Sequence, residues 1–153
     1  VIGTSSTEEG LQAILDNGAD YAMNHLNDNN LDQLNEYTNG VGPDVIIEFL
    51  ANKNLELDLQ AIKTKGRIVV VGARDTIEIS PRLILSRNIN VLGASLPNLT
   101  EEDYTEASAG IIAMLEHGVI NPIIGESVPL REVQKVHENL LTRSGNGKSI
   151  LKP

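Results

Sequence analysis

Two stretches decide the fold: Asp44-Val45-Ile46-Ile47-Glu48-Phe49-Leu50 and Gly66-Arg67-Ile68-Val69-Val70-Val71-Gly72. Each is a short run of apolar, mostly β-branched residues with almost no polar interruption. That is the composition of a strand covered on both faces, as in a parallel sheet. Between them Leu55, Leu59 and Ile62 recur at helical spacing. Parallel neighbours need a crossover, and a strand, a helix and a strand in that order supply one.

The same alternation continues in both directions. Downstream, Pro81 to Arg87 is a short helix with Pro in its first turn, and Asn88 to Ser95 is a strand ending near Leu96. Glu101 to His117 is the longest helix, started by Thr100 with Asp103 and stopped by Gly118. Upstream, Val1-Ile2-Gly3-Thr4 reads as a buried strand. Ser6 with Glu9 three residues later forms a capping box for a helix whose buried stripe is Leu11, Ile14 and Leu15, closed by Gly18. Asp20 to Asn24 is a short strand, and Asn29 to Asn39 a weaker helix with Leu31, Leu34 and Tyr37 facing inward. Val1 is not an initiator Met and already lies in a strand, so residues are expected to precede it. Past Asn121 come Pro122, Pro129, strand-like pieces at Ile123-Ile124 and Glu126 to Val128, a helix from Arg131 to Thr142, and a last strand from Lys148 to Lys152. No internal repeat or low-complexity segment is present, and one domain with a C-terminal extension is the simplest parse.

Composition narrows the function classes. The chain has 153 residues, enough to bury a core, and 41% of them are hydrophobic. With one Phe, three Tyr, no Trp and a net charge of −9, it is poorly equipped to stack bases or bind a phosphate backbone. The absence of Cys excludes disulfides, Cys-ligated zinc and thiolate nucleophiles within this chain. No apolar run approaches the ~20 residues of a membrane helix, and no signal peptide is visible; a soluble, cytoplasmic protein is expected.

Two glycine motifs mislead. Gly145-Asn146-Gly147-Lys148-Ser149 ends like a phosphate-binding loop. Thr142 stands where the first Gly belongs, however, and the order of helix and strand is reversed. Gly40-Val41-Gly42 precedes its strand and is followed by Pro43, which makes it a loop. The informative positions are strand ends, because ligands of open α/β sheets bind beyond the carboxyl ends of the strands. Gly3-Thr4-Ser5-Ser6, Val71-Gly72-Ala73-Arg74 and Gly93-Ala94-Ser95 are all small or glycine-bearing. Small residues ease any strand-to-helix turn, but three such ends on one edge favour a nucleotide. The hydroxyls at Thr4 to Thr7 stand where an NAD-preferring site places an acid, and they could accept a 2′-phosphate. Glu8 and Glu9 oppose that reading, and no Lys or Arg occurs before Lys53. Of the three His, His117 and His137 fall on helices as surface or packing groups, while His25 follows a strand end and could cover an adenine or ribose. No His and carboxylate set has metal-ligand spacing. Glu48 reads either as a catalytic acid or as a structural carboxylate.

Thr7-Glu8-Glu9-Gly10, Asn17-Gly18-Ala19, Asn24-His25, Ile46-Ile47-Glu48, Leu50-Ala51-Asn52, Gly66-Arg67-Ile68, Thr76-Ile77-Glu78-Ile79 and His137-Glu138-Asn139 closely resemble the zeta-crystallin family. These are NADPH:quinone oxidoreductases of the medium-chain dehydrogenase/reductase superfamily. The resemblance runs the full length, with no evident gap until the loop from Ser144 to Lys148. It implies an α/β, Rossmann-type, doubly wound parallel sheet that is incomplete, with Val1 on the second strand and the first strand absent. Residues 1–120 would be the nucleotide-binding domain and residues 121–153 the return segment of a GroES-like catalytic domain.

The resemblance also implies NADPH as cofactor, held by Ser6, His25, Asn54, Val71, Gly72, Ala73, Arg74, Ala94, Ser95 and Leu96. Ser6 stands where the family has Gly, Ala73 replaces Ser, and Ala94-Ser95 replaces a Val-Thr pair, changes that leave room for a ligand. It implies zinc-free hydride transfer to a quinone, with no catalytic side chain named in this part. A homo-oligomer would form through the edge strand near Asn88 to Leu96. The chain alone is expected to bind NADPH weakly and to lack reductase activity. Rival readings are another zinc-free medium-chain reductase acting on enoyl or alkenal substrates, a non-enzymatic RNA-binding or crystallin role disfavoured by the charge, and a methyltransferase-like domain using another adenine ligand.

Overall fold

A computed structural model describes residues 1–142 and 147–153. Its elements are β1 (Ile2–Ser5), α1 (Glu8–Asp16), β2 (Tyr21–Asn24), α2 (Asn30–Tyr37), β3 (Val45–Glu48), α3 (Ala51–Ala61), β4 (Arg67–Val70), α4 (Pro81–Arg87), β5 (Asn90–Gly93), α5 (Glu101–Glu116), β6 (Ile124–Pro129), α6 (Val133–Thr142) and β7 (Lys148–Lys152). The contacts divide the chain into two units, residues 28–103 and residues 1–27 with 104–153.

Among the described residues all strand pairing is parallel. β1 pairs with β2, β3 with β4, β4 with β5, and β6 with β7. They form three sheets, in the orders β1-β2, β3-β4-β5 and β6-β7. A six-stranded doubly wound sheet runs in the order 3-2-1-4-5-6. Within each unit the pair β1-β2 and the run β3-β4-β5 keep sequence neighbours adjacent and parallel, as runs of strands in such a sheet do.

The core of residues 28–103 follows from the pleat. Ile46, Ile68 and Val70 point to one face of β3 and β4, where Leu59 and Ile62 of α3, Leu83 and Ile84 of α4, and Ile89 pack on them. Leu59, Ile62 and Ile68 are fully buried, and each such side chain contributes about 1.5–3 kcal/mol. The alternate positions Val45, Ile47 and Val71 remain exposed. Where α3 ends, Arg87 Nη1 donates to the carbonyls of Gln60 (3.2 Å) and Ile62 (2.7 Å), so one guanidinium both caps α3 and holds α4 beside it.

Several boundaries differ from those expected. The strand expected from Asn88 starts at Asn90, because Asn88 adopts a left-handed conformation (φ 52) and closes α4. The two strand-like pieces after Pro122 form one strand, β6, with an irregular register between Ile124 and Ser127. The helix expected from Arg131 begins at Val133, after a single 3-10 turn at Leu130–Glu132. Gly40 to Gly42 lies in the turn between α2 and β3, as expected. Of the loop resembling a phosphate-binding motif, Gly145 and Asn146 lie outside the described residues.

The capping box also needs correcting. Thr7, not Ser6, caps α1: its Oγ1 accepts the Gly10 N–H at 3.1 Å, so the third helical residue is Gly10 and Glu9 has no reciprocal part. At the other end Gly18 (φ +94) follows the cap residue Asn17, as expected. The box at α5 is reciprocal, with Thr100 N donating to Asp103 at 3.0 Å and Asp103 N to Thr100 Oγ1 at 3.1 Å. The Thr100 hydroxyl, donating to Asp103 Oδ2 at 2.6 Å, and after it the Thr100 N–H hold the Asp103 carboxyl below its ordinary value. Thr7→Ala is expected to cost about 1 kcal/mol in chemical denaturation, whereas Ser6→Ala should stay within about 0.5 kcal/mol. Equal effects would return the cap to Ser6.

Candidate functional site

The register places the ends of β3, β4 and β5 side by side, with Glu48 opposite Val70 and Val70 opposite Gly93. Beyond them lies an open groove of about 620 Å³, lined by Val70 to Ala73, Gly93 to Ser95, Asn98 and Leu99. Its size falls within the roughly 300–1,000 Å³ of small-molecule sites. Its walls are backbone and small side chains. Gly93 leaves open space where a Cβ would stand, and a Cβ on Gly72 would run into the Phe49 carbonyl oxygen.

The groove is braced from the turn between β3 and α3. The Glu48 carbonyl accepts the N–H of Val71 at 2.8 Å and of Gly72 at 3.4 Å, and Ala51 N–H returns to the Gly72 carbonyl at 2.9 Å. Arg74 N–H donates to Asn52 Oδ1 at 3.0 Å. Val71 and Gly72 of the wall, and Arg74 just beyond it, are thus tied to the turn between β3 and α3.

Among the expected cofactor residues, Val71, Gly72, Ala73, Ala94 and Ser95 line this one groove. Arg74 follows directly, and Leu96 opens the 3-10 turn Leu96–Asn98 with its side chain exposed. Asn54 lies in the first turn of α3, its Nδ2 at 3.2 Å from both carboxylate oxygens of Glu48. Ser6 and His25 belong to the other unit, where they directly follow the paired ends Ser5 and Asn24, and His25 N–H donates to the Ser5 carbonyl at 3.2 Å. His117 bonds the Ala113 carbonyl of its own helix through Nδ1 (2.7 Å), and His137 is exposed on α6; these are the surface roles expected of them. Asn98 and Leu99 were not expected in the site. Pro97 after a strand end was the available signal, since it begins a turn that carries both residues back to the groove.

Glu48 is buried, and its carboxylate accepts from Leu50 N–H as well as from Asn54. Asp58, one turn further along α3, was not singled out. Burial, reinforced by the Glu48 charge and a hydrogen bond to it, pushes the Asp58 carboxyl up to about 7. Because this folded value lies above the unfolded one, the folded chain holds a proton that the unfolded chain has released. The resulting stability is complete below about pH 4 and is lost as pH rises through about 7. Asp58→Asn should flatten that dependence and raise stability at pH 8 by about 2 kcal/mol, allowing for partial solvent access. Thermal unfolding from pH 4 to 8 measures it, and an unchanged slope in the variant would refute the assignment.

The chain has no Cys, and among the described residues no group of three His, Asp or Glu is arranged to hold a metal ion. Nor is any helix of the described residues long and apolar enough to cross a membrane.

The chain is similar to a human (Homo sapiens) quinone oxidoreductase, 41% identical over 152 residues, which cover 99% of this chain and 46% of that one. Among solved structures, the quinone oxidoreductase of Thermus thermophilus, determined also with NADPH, superposes with a TM-score of 0.84 at 27% identity, covering 100% of this chain and 49% of the other. The Escherichia coli quinone oxidoreductase complexed with NADPH gives 0.84 at 26% identity, covering 99% and 49%. The chain therefore spans about half the length of the relatives it matches. The family described as zinc-binding dehydrogenase matches residues 1–113. The strand order, the groove at the strand ends and these likenesses agree: the chain belongs to the zinc-binding dehydrogenase family, within the medium-chain dehydrogenase/reductase superfamily.

Proposed function

We propose that the chain is the NADPH-binding portion of a quinone reductase that works without zinc. The observation that carries this is the groove walled by Val71 to Ala73 and Gly93 to Ser95, in a chain 41% identical to a quinone oxidoreductase. Ser6, His25, Asn54, Val71, Gly72, Ala73, Arg74, Ala94, Ser95 and Leu96 are the residues that would hold the cofactor. Bound there, NADPH would supply the hydride passed to a quinone. The chain's own part is placement. Gly72 and Gly93 allow the backbone close to the ligand, and Arg74 adds a cation beside a phosphate-bearing molecule in an otherwise acidic chain. Residues 1–120 are read as the nucleotide-binding domain. Residues 121–153 are read as the return segment of a catalytic domain, in keeping with β6 and β7 forming a sheet of their own. The cytoplasm, expected from the sequence, goes with this reading.

In the full-length protein, reduction of 1,4-benzoquinone should proceed with NADPH in preference to NADH and should survive a zinc chelator. Arg74→Ala should raise the KM for NADPH about tenfold with a smaller change in kcat. Preference for NADH, or loss of activity to the chelator, would overturn the proposal. Turnover of enoyl or alkenal substrates with no quinone activity would favour a different zinc-free reductase of the same superfamily.

We also propose a homo-oligomer through the strand near Asn88 to Leu96. Among the described residues β5 is an edge strand bonded only to β4, and its Val91 and Leu92 are exposed. Sedimentation of the full-length protein should give an oligomer that Leu92→Lys dissociates. A monomeric wild type would end this part of the proposal. RNA binding, which the −9 charge opposes, would show as an affinity falling steeply with salt.

A further inference from the structure

Glu48 is a charged side chain only 7% exposed at the end of a strand, and a carboxylate so placed requires donors. It has them in Leu50 N–H and in Asn54 Nδ2, which lies 3.2 Å from each of its oxygens. A carboxylate only accepts, and an Asn side chain donates only from Nδ2. The Asn54 amide can therefore lie only one way, with Nδ2 toward Glu48 and the carbonyl Oδ1 turned away. That oxygen has no partner among the described residues. The first turn of α3 is also tied to the groove wall, through Ala51 N–H on the Gly72 carbonyl and through Asn52 Oδ1, which accepts Arg74 N–H.

We infer that Glu48 is a positioning residue: it fixes the Asn54 amide so that the chain offers the nucleotide a hydrogen-bond acceptor at this point. The group received there is then a hydroxyl or amide N–H of NADPH and not a phosphate oxygen. This deepens the proposed function and rests on it.

The test uses the full-length protein and NADPH, with affinity by titration, KM and kcat by turnover, and melting temperature measured alongside. Glu48→Gln lets the Asn54 amide turn over, because the new amide can donate where the carboxylate could only accept. It should weaken NADPH about tenfold, the loss of one hydrogen bond, with kcat altered less than about twofold. Adding Asn54→Asp to Glu48→Gln should restore affinity to within about threefold. The amide at position 48 then donates to a carboxylate at position 54 whose second oxygen again faces outward. Asn54→Leu, which removes the acceptor without touching Glu48, should weaken NADPH as much as Glu48→Gln, and it decides the matter if the latter fails to fold. Weakening seen with 2′,5′-ADP places the donor on the adenosine-side ribose, and weakening with reduced nicotinamide mononucleotide places it on the nicotinamide half; either supports the inference.

Unchanged affinity in Asn54→Leu, or a double variant no better than Glu48→Gln alone, would overturn it. A wild-type protein that fails to bind NADPH would sink the proposed function itself. Wild-type binding with indifferent variants would sink this inference alone.

Discussion

The carbonyl oxygen of Glu48 receives the N–H groups of Val71 and Gly72, and through these bonds the end of one strand sets the course of the next. Sequence alone makes β4 a strand, but it does not say where the chain goes once the ladder stops. Here the exit is dictated by the neighbouring turn, which takes Gly72 so closely that no side chain would fit. The groove exists because the wall is held from behind by backbone bonds and by Asn52, leaving its front to a ligand. Buried groups that are fully bonded make such a turn rigid, while a partly bonded group would make it a weak point.

How much could be read beforehand depended on the kind of signal. The strands at Asp44 to Leu50 and Gly66 to Gly72 declared themselves because an apolar β-branched run has few other uses in a chain of this polarity. Residues 71–73 and 93–95, which line the groove, stood out for a different reason, since a strand end without bulk is where a ligand can come near. The cap of α1 was ambiguous because Ser6 and Thr7 are adjacent hydroxyls, and what separates them is the Gly10 N–H donating to Thr7 Oγ1, with Thr7 extended at φ −127. Asp58 was legible in hindsight. It falls on the same helical face as Leu55, Leu59 and Ile62, where a carboxylate is out of place unless it has lost its charge. Asn98 and Leu99 were signalled only by Pro97, which announces a turn but not its direction, and no periodicity encodes that.

Sequence pattern could not supply the division into separate sheets either. A strand's partners are a property of the order in space, which no periodicity along the chain encodes. Within each sheet the pairing is parallel throughout, and the fold superposes on oxidoreductases about twice as long as this chain.

The parallel register has one more consequence, for how the chain folds. Ile2 pairs with Tyr21, Val45 with Arg67, Arg67 with Asn90 and Ile124 with Lys148. Each of these pairs closes within about two dozen residues, near the lower limit for a parallel crossover. The loop entropy of each closure is correspondingly small and is recovered as soon as one helix docks. Strand pairs of this kind can form in turn as the chain leaves the ribosome, each before the next has been made. A sheet that would be slow to assemble if its neighbours were distant in sequence is thus reduced to a succession of short-range events.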